Sequence, residues 1–129
     1  MPLEALPGPS GFAPGRHAID GYGADGFRFA GMAHPGSILA LPSGIRAWDV
    51  VNLGDLTAEA LAPLVAEAAD IDIVLVGTGQ RAALPIFAFV DMLREAGLRP
   101  ELMDTPAAAR TFNVLLAEGR RVSAALLKL

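Results

Sequence analysis

The sequence predicts an α/β fold: a compact three-layer single domain, whose mixed central sheet carries helices on one face and an N-terminal hairpin layer elsewhere. Strand-like segments joined by tight turns fill the first half of the chain, and strands alternate with helices in the second half. A length of 129 residues suits one domain. A flexible lead rich in proline and glycine is expected over residues 1–16, and the folded domain over residues 17–129.

The first half is predicted to form four short strands in a meander. An Asp-Gly pair, which is a hairpin signal, separates the first two strands. Turns that contain proline and glycine separate the others. The strands are Ile19–Tyr22, Phe27–Phe29, Ser37–Leu41 and Ile45–Val51, with turns at His34-Pro35-Gly36 and Pro42-Ser43-Gly44.

The second half is predicted to alternate helices and strands. The first element is a helix capped by Thr57, in which Pro63 predicts a kink or a later start. The others are the strand Ile71–Val76, a helix with Pro85 in its first turn and Gly97 at its end, the strand Glu101–Asp104, a helix capped by Thr105 and running to Glu118, and the strand Arg121–Leu127. Right-handed crossovers make the strands that are joined by full helices parallel.

Composition excludes several functions. The chain has no cysteine, which rules out a disulfide framework, a cysteine nucleophile and thiolate metal sites. Its net charge of −4 argues against nucleic acid as a partner, since a basic surface is the usual footprint. The sequence contains no stretch suited to a transmembrane helix, so only peripheral contact with a membrane stays open.

The usual catalytic and metal-binding sets are missing. His17 and His34 are the only histidines, and their spacing matches no metal motif. None of the serines lies in the G-x-S-x-G context of a nucleophile elbow. We therefore predict no catalytic residue, no metal site and no cofactor.

A candidate binding site lies where two predicted strands end. Ligands of open α/β sheets bind beyond the carboxyl ends of the strands. Two loops qualify here, one that runs from Gly77 to Arg81 and one that opens the third helix, and that helix adds polar side chains. The candidate ligand- or partner-binding residues are Gly77, Thr78, Gly79, Arg81, Asp104, Thr105, Arg110 and Asn113.

Each part of this candidate site also has a purely structural interpretation. The run from Gly77 to Ala82 fits the G-x-G-x-x-A pattern, but Pro85 marks a helix that begins too late for dinucleotide binding. The glycines then serve a tight exit from a buried strand. Asn113 and Thr111 are poor choices for a helix interior, which indicates contact with a ligand or with a neighbouring loop.

Three segments carry a resemblance to a known family: Val74–Gly79 (VLVGTG), Glu101–Thr105 (ELMDT) and Ala109–Leu127 (ARTFNVLLAEGRRVSAALL). In this order and spacing they resemble the domain-of-unknown-function family that includes the mitochondrial respiratory complex I assembly factor number three and its bacterial and archaeal relatives. The resemblance implies a three-layer α/β domain with a mixed sheet and no established catalytic activity. Phe112 stands where the family typically has tyrosine, which weakens any chemical role for a hydroxyl there.

The function expected from these observations is that of a non-enzymatic interaction or assembly factor for a membrane-associated complex. Such a role requires a protein partner, which the sequence does not identify. The alternative is a protein or enzyme that binds a small anion at the G-T-G edge of the sheet. Residues 1–16 do not resemble a mitochondrial presequence, so we expect a bacterial protein in the cytoplasm.

Overall fold

A computed structural model describes residues 13–51, 56–80 and 87–129 of the chain. The strands in these ranges are β1 (Ala13–Pro14), β2 (Gly21–Gly23), β3 (Gly26–Phe29), β4 (Met32–His34), β5 (Ser37–Leu41), β6 (Gly44–Trp48), β7 (Ile73–Gly77), β8 (Arg99–Met103) and β9 (Val122–Leu126). The helices are α1 (Ala58–Ala66), α2 (Phe87–Glu95) and α3 (Thr105–Ala117), and a 3₁₀ turn covers Ala68–Asp70.

The central sheet has six strands in the order β1-β6-β5-β9-β7-β8. Strand β7 is parallel to both β8 and β9, whereas β5 is antiparallel to β9 and to β6. The predicted mixed sheet is therefore confirmed. The last strand of the chain, β9, lies at the centre, where it joins the antiparallel half to the parallel half.

The helices lie on both faces of this sheet, which corrects the expectation of one helical face. Leu75 and Leu126 belong to one core cluster, together with Phe112 of α3. Val74 belongs to a second cluster, with Leu64 of α1 and residues of α2. The reason is topological: the connection from β7 to β8 moves outward and the connection from β8 to β9 moves back past β7. Right-handed crossovers in opposite directions place their helices on opposite faces.

A second, smaller sheet lies on the same side as α3. It contains β2, β3 and β4, all antiparallel, and its Phe27 and Phe29 are buried in the cluster shared with α3. The predicted hairpin is confirmed, with Gly26 at a φ of +109° after the turn. A side chain at Gly26 would collide with the carbonyl oxygen of His34. The sequence analysis missed β4, because this short strand ends at the residue where the turn was predicted.

The start of α1 agrees with the sequence prediction. Thr57 caps α1, and its Oγ1 accepts a hydrogen bond from the backbone N–H of Ala60 at 3.1 Å. Pro63 lies inside α1 without ending it. Pro85 lies outside the described residues.

Part of the segment that was predicted to be a flexible lead, Ala13–Pro14, belongs to the central sheet. Ala13 of β1 pairs with Ile45 of β6 and is buried in the core. Residues 1–12 lie outside the described ranges.

His34 makes the stability of the fold depend on pH. Partial burial lowers the pKa of its imidazole, because burial disfavours the charged form. The unfolded chain, with a histidine pKa of about 6.5, then binds the proton more tightly than the folded chain. His34 therefore causes a loss of stability as the pH falls from about 6.5 towards the lower pKa of the folded state, and none above that window.

We expect the His34→Gln variant to show a smaller fall in melting temperature on acidification than the wild-type chain. Melting temperatures measured in steps from neutral to mildly acidic pH test this difference. Identical pH profiles for the two proteins would contradict the assignment.

Ser123 of β9 carries a buried hydroxyl group without a hydrogen-bond partner among the described residues. Burying an unbonded hydroxyl group costs free energy. We therefore expect Ser123→Ala to raise the free energy of unfolding, by up to about 1 kcal/mol. Urea denaturation measures the change. Ser37→Ala is the matched control and should lower stability, because Ser37 Oγ accepts a hydrogen bond from the backbone N–H of Lys128 at 3.0 Å. A destabilising Ser123→Ala substitution would contradict the interpretation.

Candidate functional site

The structure brings the two predicted loops together at one edge of the sheet. Strands β7 and β8 are parallel neighbours, so both end there. The backbone N–H of Thr78 donates to the carbonyl oxygen of Met103 at 2.9 Å, and that of Thr105 donates to the carbonyl of Gly79 at 2.7 Å. The loop after β7 is thus bonded directly to the start of α3.

Thr105 is the centre of this junction. Its side chain is fully buried, and its Oγ1 donates to the carbonyl oxygen of Leu127 at 2.8 Å. The same Oγ1 accepts from the backbone N–H of Gly79 at 2.9 Å. One hydroxyl group therefore ties together the loop after β7, the end of β9 and the first turn of α3. We call these two hydrogen bonds the Thr105 latch.

The residue that caps α3 is Asp104, not Thr105 as the sequence predicts. Asp104 has extended backbone angles, and its Oδ1 accepts from the backbone N–H of Ala107 at 2.7 Å. Thr105 is the first helical residue, and its hydroxyl group is engaged in the latch instead. A carboxylate at this position also interacts favourably with the helix dipole.

The two glycines of the G-T-G loop are needed for different reasons. At Gly77, a Cβ would lie 2.8 Å from Thr105 Oγ1, 2.9 Å from Thr105 Cα and 3.0 Å from a side-chain carbon of Leu126. Gly79 has a φ of +97°, in the left-handed region that other residues avoid. The first glycine permits close packing of α3 on the sheet, and the second permits the turn.

Backbone N–H groups at this edge are engaged in internal hydrogen bonds. Those of Thr78 and Gly79 donate to Met103 and Thr105, and that of Ala107 donates to Asp104. The Thr78 hydroxyl group also donates to the Met103 carbonyl, at 3.2 Å. Anions at helix N-termini are bound by backbone N–H groups. The N–H groups named here already donate to protein acceptors.

Asn113 contacts the N-terminal part of the chain rather than the G-T-G loop. Its Oδ1 accepts from the backbone N–H of Ile19 at 2.7 Å, and its Nδ2 donates to the carbonyl of the same residue at 2.8 Å. Thr111 Oγ1 lies 3.7 Å from the sulfur of Met103. These contacts explain why two poor helix formers occupy the interior of α3. Of the two interpretations that the sequence left open, a contact with a ligand or with a neighbouring loop, they agree with the second.

Arg110 is exposed on the outer surface of α3. Its Nη1 donates to the phenolic oxygen of Tyr22 at 3.0 Å, and Tyr22 is itself 37% exposed. No local sequence pattern indicated Tyr22 as a contact, because it precedes Arg110 by 88 residues. Arg81, the other arginine of the candidate site, lies outside the described residues.

The described part of the chain has one ion pair, and it lies away from this edge. Arg121 and Asp72 approach to 2.7 Å, with both side chains about half exposed. The hydrogen bond from Arg121 lowers the pKa of Asp72, and the same bond raises that of Arg121. Exposed pairs of this kind contribute little to stability.

Two open cavities are lined by residues that the structure describes, and neither was predicted from the sequence. One of about 460 Å³ lies beside the small sheet, and one of about 290 Å³ lies between β6 and α1. Both have acidic and basic residues in their walls, so neither selects ligands of one charge. The charged lining residues are Asp20, Asp25 and Arg28 in the first and Arg46, Asp49 and Glu59 in the second.

Two further features concern metals and membranes. Within the described ranges, no three histidine or acidic side chains are placed to hold a metal ion. None of the helices in those ranges combines the length and the apolar character of a bilayer-spanning segment.

Solved structures place the fold in a known class. The chain is similar to a crystal structure described as an outer membrane protein from Bartonella henselae, with a TM-score of 0.81, 45% sequence identity, and coverage of 89% of this chain and 97% of that chain. It is also similar to a solution structure from Bordetella pertussis described as a Mth938-like domain. That match has a TM-score of 0.74, 31% identity, and coverage of 98% and 92% of the two chains. The protein is therefore an α/β domain of the Mth938-like class.

The chain belongs to the family described as "Protein of unknown function (DUF498/DUF598)", whose model matches residues 19–127. An uncharacterized protein of Rhodobacter capsulatus is 44% identical, over 91% of this chain and 88% of that protein. The human NADH dehydrogenase [ubiquinone] 1 alpha subcomplex assembly factor 3 is 35% identical over 84% of this chain. The chain spans 59% of the length of that human relative. The family predicted from the sequence is confirmed.

Proposed function

We propose that this protein is a non-enzymatic interaction or assembly factor for a membrane-associated complex, and that it acts in the cytoplasm. The observation that carries the proposal is the exposed guanidinium group of Arg110, which the phenol of Tyr22 holds in place on α3. Arginine and tyrosine are the residues that most often dominate protein interfaces. A partner with a carboxylate opposite Arg110 would complete the contact.

The relatives support this proposal by their names. The human relative is named as an assembly factor of NADH dehydrogenase, although this chain corresponds to only part of its length. That name concerns the human protein, and it motivates contact with a membrane-associated complex as part of the proposal.

Affinity capture from cells that express the protein at its native level tests the proposal. We expect the wild-type chain to recover a reproducible protein partner and Arg110→Ala to recover much less of it. Arg94→Ala is the matched control, because Arg94 is an exposed arginine on α2, on the opposite face of the sheet. Melting temperatures should be similar for all three proteins. Repeated captures without a partner, or equal loss in both variants, would contradict the proposal.

The alternative is a small-anion site between the G-T-G loop and the start of α3. It has less support, because backbone N–H groups at that edge already donate to protein acceptors. A thermal-shift screen with phosphate, simple carboxylates and nucleotides tests the alternative. A ligand at 100 times its dissociation constant would add about 2.7 kcal/mol of stability. A shift of that size would favour the anion site over the docking function.

A further inference from the structure

The outer face of α3 is unusually poor in charge for an exposed helix surface. Arg110 is the only charged residue among the thirteen of the helix. Val114 follows one turn later with 56% of its surface exposed, and Glu118 follows at the C-cap after another four residues. Exposed helix faces usually carry several charged side chains. We call the row formed by Arg110, Val114 and Glu118 the α3 ridge.

We propose that the α3 ridge is covered by the α3 ridge of a second copy of this chain. In this arrangement the two helices run antiparallel about a twofold axis at Val114. Residues four apart form a continuous ridge on a helix surface, and packed helices most often set such ridges beside one another, each in a groove of the other helix. A twofold contact requires a surface that is complementary to itself.

The charges of the α3 ridge have this complementarity. Arg110 and Glu118 lie four residues on either side of Val114, about 6 Å along the helix axis. Antiparallel pairing about Val114 therefore places Arg110 of each copy against Glu118 of the other. Two Arg110–Glu118 pairs then flank one apolar contact between the Val114 side chains. Because the twofold axis makes the two pairs equivalent, both form or neither does.

In each copy, Arg110 and Glu118 are available to form these ion pairs with the other copy. Glu118 lies at the C-terminus of α3, where the helix dipole disfavours a carboxylate, and no side-chain hydrogen bond or ion pair engages it within the described ranges. Arg110 uses one nitrogen for Tyr22, and its remaining donors face outward on an exposed side chain. Two arginines follow Glu118 closely in the sequence. Arg121 is paired with Asp72, and Arg120 lies beyond the end of the helix.

Small neighbours on either side allow the close approach that this pairing needs. Pairing about Val114 sets Thr111 against Ala117 of the second copy, and neither is bulky or charged. Each copy contributes a single helix, so the interface is small. Because small interfaces are typical of transient contacts, we expect a reversible dimer rather than a permanent one.

The inference does not depend on the proposed function, but both use Arg110 as a contact residue, so a second copy and a different partner would compete for it. Self-association is a property of the purified chain alone, whereas the proposed function requires a different protein. A chain that stays monomeric but captures a partner through Arg110 would overturn the dimer and leave the proposed function intact.

Sedimentation equilibrium of the purified chain over a wide concentration range tests the proposal. We expect the average mass to rise from that of the monomer to twice that value. R110E and E118R should each weaken the dimer by about tenfold or more, since each creates like-charge contacts. The double variant R110E/E118R restores opposite charges and should recover dimerisation. R94E is the matched control on α2 and should leave the dimer unchanged.

Three results would overturn the proposal. The first is a chain that stays monomeric at every concentration. The second is a double variant that remains as weak as the single variants while its melting temperature is normal. The third is an R94E variant that dissociates as readily as R110E.

Discussion

Thr105→Val is expected to lower the free energy of unfolding by about 2–4 kcal/mol. Valine has nearly the same shape, so the substitution removes the Thr105 latch without creating a large cavity. The N–H of Gly79 and the carbonyl of Leu127 would lose their hydrogen-bond partner next to a fully buried side chain. An unsatisfied buried polar group costs about 1–3 kcal/mol. The Leu127 carbonyl becomes such a group, and the half-buried N–H of Gly79 also loses its acceptor. Urea denaturation with an unchanged m-value measures the loss.

Thr111→Val is the matched control on the same helix. Its hydroxyl group makes only a 3.7 Å contact with the sulfur of Met103, so we expect a change within about 0.5 kcal/mol. Helix propensity is nearly equal for threonine and valine and does not bias the comparison. If Thr105→Val and Thr111→Val had equal effects, the latch would not be a main support of this edge.

Gly77→Ala is expected to be destabilising by about 3 kcal/mol, because overpacking a closed junction strains its neighbours. The added methyl group would lie under 3.0 Å from two atoms of Thr105, and one of them is Cα, which cannot rotate away. Relief requires α3 to move off the sheet, which also stretches the latch. Thermal unfolding of the variant measures the effect as a large fall in melting temperature.

Gly23→Ala provides the control for the Gly77→Ala substitution. Gly23 also lies in a strand, and a Cβ there meets no atom within 4 Å. We expect its melting temperature to stay close to that of the wild-type chain. If Gly77→Ala and Gly23→Ala had equally small effects on the melting temperature, this would contradict the close approach of α3 to β7.

The sequence predicted most elements of the fold and its mixed sheet, but not the strand order or the placement of helices on both faces. Apolar runs such as the one in β7 and turn signals such as Gly26 act over a few residues, so they are visible in the sequence. The central position of β9 depends on pairing with β5, which lies more than eighty residues earlier. That pairing decides which way the last crossover runs, and hence that α3 and α2 lie on opposite faces.

The sequence alone does not distinguish a binding site at this edge from a structural junction, for a physical reason. Polar residues at the junction of a strand and a helix give the same sequence signal whether they bind a ligand or each other. Thr105 and Asn113 bind other parts of the chain, and only their long-range partners in space reveal this. Tyr22 and the exposure of Val114 had no local signal, because both depend on how α3 packs.

The Thr105 latch closes the G-T-G edge with internal hydrogen bonds, and we propose that contacts with other proteins use the outer face of α3 instead. Residue-resolved amide hydrogen exchange of Gly79 tests this claim most directly. We predict that the Gly79 N–H is strongly protected in the wild-type chain and loses that protection in Thr105→Val, while α3 remains folded. Fast exchange of the Gly79 N–H in the wild-type chain, at the rate of an open loop, would contradict it.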